Sequence, residues 1–123
     1  MKYALLIYAA PGSRENAPPA QPGVIDSWID YTAALRTSGA LIGAEQLQPA
    51  DTATAIAVRA DGERLLTDGP FAETKEHLLG FYLVDVDGLD AALDWAARMP
   101  ILRYGTVEVR PVVEGALWQE AMR

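Results

Sequence analysis

Apolar and polar positions follow three different patterns along this chain, and the changes between them divide it into elements. Tyr3-Ala4-Leu5-Leu6-Ile7-Tyr8 is apolar at odd and even positions alike, and so is Leu79 to Val86, where Phe81 and Leu83 take one side and Tyr82, Val84 and Val86 the other. Successive side chains of a strand point to opposite faces, so both segments predict strands covered on two sides. Thr106 to Val112 instead alternates Val107 and Val109 with Glu108 and Arg110, which predicts a half-exposed edge strand. Between Val24 and Ser38 the spacing changes to that of a helix, with Ile25, Trp28, Ile29 and Leu35 on one face and Gly39 as a left-handed stop. A second helix follows Asp87, a residue able to cap it; Leu89, Ala92, Leu93 and Ala96 share its face and Pro100 helps to end it.

The intervening segments supply turns and shorter strands. Residues 10–23 hold Pro11, Pro18, Pro19 and Pro22, too many prolines for a helix or a sheet. Ala40 to Leu47 reads as a short strand. Thr54 to Arg59 and Glu63 to Thr67 read as a hairpin turned by Asp61-Gly62, a dipeptide that accepts positive φ. The order is strand, helix, strands, helix, strand, with the two doubly apolar segments first and just before helix two. A ferredoxin-like split βαβ sheet places those two strands at its centre, so the expected class is α+β, with two helices on one face and an extra β-hairpin. Two helices cover one face only. The other face, also apolar, calls for a partner, and a second copy packed face to face is the simplest.

Composition narrows the classes of function. The 123 residues predict a single domain over 1–123. Ten Lys and Arg against seventeen Asp and Glu give a net charge of −7, which repels nucleic-acid phosphates and anionic membranes. There is no cysteine, so disulfides, thiolate metal sites and a cysteine nucleophile are excluded, and the cytoplasm is the expected location. The apolar run Tyr3 to Ala10 is too short to span a membrane. With one histidine and no Gly-rich phosphate loop or nucleophile elbow, neither a metal nor a cofactor is expected.

Candidate chemistry concentrates in Thr67-Asp68-Gly69-Pro70-Phe71-Ala72-Glu73-Thr74-Lys75-Glu76, followed by Gly80-Phe81-Tyr82-Leu83-Val84-Asp85-Val86. Together with Met1 to Tyr8, Trp95-Ala96-Ala97-Arg98 and Val107 to Val112, these residues resemble the DGPF branch of the YCII-related domain family across nearly the whole chain. The resemblance implies a dimeric α+β barrel of two facing ferredoxin-like sheets, higher association in some members, and genomic proximity to extracytoplasmic-function sigma factors. It brings no settled activity. Shorter members suggest a His–Asp pair whose histidine lies near the chain start. Here His77 is the sole histidine, and the pair is not transferred.

Each motif residue has two readings. Asp68 serves either an Asx-type turn before Gly69-Pro70 or a ligand-facing acid/base role. Lys75, one of only two lysines, either pairs with a neighbouring carboxylate or steadies developing negative charge. His77 is a general-base candidate or an exposed residue at a strand entrance. Phe71 anchors the turn or touches a ligand, while Tyr8 and Tyr82 pack in the core or point hydroxyls into a barrel cavity. Two functions follow as expectations. One is cofactor-free acid/base catalysis on a small organic molecule by Asp68, Lys75 and His77; the other is a ligand-binding or regulatory module acting with a sigma factor.

Overall fold

The computed structural model describes residues 1–10, 24–70 and 75–123, with the side chains of 116–118 excepted. The proline-rich loop and Phe71 lie outside these residues. The strands are β1 (Lys2–Ala9), β2 (Leu41–Gln46), β3 (Thr54–Val58), β4 (Arg64–Asp68), β5 (His77–Asp85) and β6 (Gly105–Pro111). The helices are α1 (Val24–Ser38), α2 (Leu89–Ala97) and α3 (Ala116–Ala121), with short 3-10 turns at Ala50–Thr52 and Pro100–Arg103. Helix α3 was not expected, although Ala, Leu, Gln and Glu in that run are good helix formers.

Four strands form one antiparallel sheet in the order β2-β5-β1-β6, and β3 pairs only with β4. The two doubly apolar strands therefore occupy the centre, as the ferredoxin-like order requires, and the hairpin is an addition between β2 and β5. Gly62 at its tip has φ +87°, and the Asp61 carboxylate accepts the Glu63 N–H at 2.9 Å, which makes the Asx turn there. Gly80 sits where β5 meets the edge strand: a Cβ on it would stand 2.6 Å from the Glu45 carbonyl oxygen, so the close pairing needs glycine.

The register sorts the side chains by face. Tyr3, Leu5, Ile7 and Ala9 of β1 and Tyr82 and Val84 of β5 are buried with Tyr31 and Leu35 of α1 and Ala92 and Ala96 of α2. Leu5, Leu35, Val84 and Ile101 lie below 2% exposure, and each such side chain contributes about 1.5–3 kcal/mol by leaving water. Ala4, Leu6 and Tyr8 take the second face. They stand opposite Leu83, Phe81 and Leu78 on β5 and Arg110, Glu108 and Thr106 on β6. The second face is thus apolar at its centre and charged at its edge, where Arg110 lies 3.5 Å from Glu108.

The helix faces differ in part from expectation. On α1, Ile25 and Ile29 are 72% and 59% exposed, and the buried side is formed by Tyr31 and Leu35 with Trp28 against them. Positions 28, 31 and 35 are the stricter helical set; tyrosine joins it because its hydroxyl finds a partner, the Trp95 carbonyl at 2.8 Å. On α2 the small Ala92 and Ala96 are buried, while Leu89 and Leu93 remain 49% and 45% exposed. Small side chains on the contact side let a helix backbone approach the sheet closely. The cap also falls one residue later than expected, at Gly88 without a side-chain bond. The Gly88 carbonyl accepts the Ala92 N–H at 3.1 Å.

Candidate functional site

The motif begins at the end of the hairpin. Asp68 closes β4 opposite Thr54, and Gly69 turns the chain away with φ +96°. The Gly69 N–H donates to the Ala53 carbonyl at 2.7 Å, so the backbone itself locks this corner. The Asp68 carboxylate is exposed and accepts no hydrogen bond from the described residues. Lys75 is exposed too, and no ion pair joins it to Asp68. Of the carboxylates that could hold Lys75, Asp68 is therefore not the one that does.

From Lys75 the chain enters β5. His77 is half-buried and pairs with Ala9; cross-strand partners share a face, so it lies on the helix side. A register shift between Ile7 and Tyr8 sets Tyr8 opposite Leu78. Tyr8 also faces Thr106 on its other flank. The Thr106 hydroxyl donates to Glu76 Oε1 at 3.2 Å. Tyr8, Thr106 and Glu76 thus collect at one end of the second face, two hydroxyls and a carboxylate beside the apolar centre of Leu6 and Phe81. Thr106 is a member that sequence reasoning did not single out; its place in an alternating edge strand, two residues after Tyr104, was the available signal.

Tyr82 goes the other way. It is buried, and its hydroxyl shares a 2.7 Å hydrogen bond with Thr32 Oγ1. Its ring lies parallel to Trp28 at 6.3 Å between centroids and meets Tyr31 edge-on at 5.4 Å. It does not share a face with Tyr8. Burial pushes the Tyr31 phenol well above the ordinary tyrosine range; neighbouring Tyr82 adds to the shift and Arg98 opposes it. Among the described residues no three His, Asp or Glu side chains gather as metal ligands do, and no helix is long and apolar enough to cross a membrane.

The sheet order, the inserted hairpin and the turn at Gly69 can be set beside known proteins. The sequence profile of the YCII-related domain matches residues 1–116. The chain belongs to the YCII-related domain family. A similar protein is the uncharacterized protein R00369 of Rhizobium meliloti (strain 1021), 51% identical over 63 residues, which are 50% of this chain and 51% of that protein. The matched stretch spans about half of that curated relative.

Proposed function

We propose that this YCII-related protein, of the DGPF branch by its motif, is a homodimeric binding module for a small organic molecule. Two copies would pack their second sheet faces together, burying Ala4, Leu6, Phe81 and Leu83. One observation carries the reading: the face has an apolar centre, a charged edge at Glu108 and Arg110, and a polar end at Tyr8, Thr106 and Glu76. An apolar centre within a polar rim is how protein interfaces are built. A cleft at the polar end would offer a ligand hydroxyl and carboxylate contacts beside an apolar wall, with Lys75 next to Glu76 in sequence.

Acid/base turnover is the second reading, favoured by the fixed Glu76 carboxylate in sequence contact with His77 and Lys75. There Asp68, Glu76 or His77 would move the proton and Lys75 would steady developing negative charge. A thermal-shift screen of a metabolite-like library tests both. Compounds that raise the melting temperature of the wild type should do so less for Tyr8→Phe and Glu76→Gln, with Asp68→Asn and Lys75→Met melting as the wild type does when no compound is present. Hits unaffected by all four substitutions would overturn the site. Consumption of a hit, followed by NMR and abolished by His77→Gln or Glu76→Gln, would select turnover over binding.

A further inference from the structure

A concavity lies between α1 and the Pro100–Arg103 turn, a groove of about 560 Å3 lined by Ser27, Asp30, Tyr31, Arg98, Leu102 and Arg103, with Met99 and Pro100 beside them. Ser27, Asp30 and Tyr31 stand at i, i+3 and i+4 of α1, one flank of the helix. Tyr31 and Met99, 5% and 2% exposed, form a firm floor. The Tyr31 hydroxyl is already committed to the Trp95 carbonyl, so the ring alone is offered to the groove. Leu102 adds an apolar wall.

The chain carries −7 overall and ten basic residues, yet two arginines line this one place. Arg59, Arg110 and Arg123 each lie within 3.8 Å of a carboxylate. Among the described residues Arg98 and Arg103 have no such pair, although Asp30 lines the same groove. Arg98 is held differently: its guanidinium carbon lies 4.3 Å from the centroid of the Trp95 ring. A guanidinium held over a ring by its charge can still donate hydrogen bonds from its N–H groups. Trp95 is itself steadied by Tyr31, whose ring meets it edge-on at 6.2 Å.

We propose that this groove binds small organic carboxylates, the carboxylate on the Arg98 and Arg103 guanidiniums and the apolar body against Tyr31, Met99 and Leu102. A planar carboxylate matches a guanidinium fork with two parallel hydrogen bonds. Asp30 sets the charge limit: it leaves Arg98 and Arg103 with one net positive charge, which a monoanion neutralises, and a second negative charge is repelled by its carboxylate. A monoanion with an apolar body is favoured over a phosphate dianion. The site is separate from the polar end of the sheet and does not depend on the reading given to that end.

The test is a titration of the full chain with 3-phenylpropionate at low salt, followed by NMR on the Trp95 indole N–H and the arginine side chains. Saturable shifts centred on this groove are expected, with weakening as salt is added. Arg98→Gln and Arg103→Gln should each weaken binding about tenfold or more, since each removes a charge-assisted contact. Asp30→Asn should tighten it, and Arg36→Gln, on another flank of α1, should leave it unchanged. The neutral 3-phenylpropionamide should not bind, and inorganic phosphate should bind more weakly than the carboxylate. Shifts that do not saturate, equal binding of the amide, tighter binding of phosphate, or full affinity in Arg103→Gln would each overturn the proposal. If Arg98→Gln fails to fold for want of the Trp95 stack, Arg103→Gln decides alone, because that side chain supports no described contact.

Discussion

Gly69 stands at φ +96° with nothing within 4 Å of the point a Cβ would occupy, so a side chain there has room but no comfortable backbone. Gly69→Val should therefore cost about 1–3 kcal/mol through conformational strain alone, read as a lower urea midpoint with unchanged slope. Tyr31 makes a prediction of another kind. A phenol whose folded pKa is raised holds its proton more tightly folded than unfolded. It adds no pH dependence below the ordinary value of 10.0 and lowers stability as pH climbs above it, until Tyr31 itself ionises. Denaturation curves between neutral pH and pH above about 10 should show this loss, and Tyr31→Phe should flatten it. That variant should start about 1 kcal/mol lower at neutral pH, having given up the bond to the Trp95 carbonyl.

At the scale of elements, α1 separates apolar residues that hold the fold from those that do not. Leu35 is fully buried and Ile29 is 59% exposed. Leu35→Ala should cost about 2–5 kcal/mol, while Ile29→Gln should stay within about 0.5 kcal/mol, both measured by thermal or urea unfolding. Sequence periodicity placed these two residues on one face because it counts isoleucine as core and leaves tyrosine aside. Strands were more legible than helix faces. An apolar run on both sides, as in β1 and β5, has one structural meaning in a chain this size, and the Asp61-Gly62 turn named its hairpin directly. The cap was legible only to within a residue: Asp87 looked like the cap, and the backbone of Gly88 takes the place.

For the whole molecule, the proposed pairing of second sheet faces is tested by the state of association. Leu83 belongs to that face and Val84, at 0% exposure, to the core. On light scattering the wild type should show at least twice the monomer mass. Leu83→Asp should release folded monomer or weaken association, whereas Val84→Asp should abolish folding, because an unpaired buried charge costs several kcal/mol. A well-folded wild-type monomer would defeat the paired-sheet reading. The candidate site was less legible than the fold. Asp68, Lys75 and His77 lie within ten residues of sequence, but Asp68 ends β4, Lys75 precedes β5, and His77 opens β5 opposite Ala9 on the helix side. Thr106 enters only through pairing across the sheet, and the Arg98–Arg103 groove only through the packing of α1 on a turn 70 residues further along the chain, from Asp30 to Pro100.

The order β2-β5-β1-β6 also has a meaning in time. Tyr3 lies opposite Val84 on one side and Pro111 on the other, so the first strand of this domain is flanked by its last two. Neither side of it can be closed until almost the whole domain has been made, because long-range strand pairing cannot precede the synthesis of the partner. Through that interval one of the two doubly apolar strands has unpaired edges. The central strand can therefore reach its place only late in synthesis, as the end of a sequence of events rather than its start.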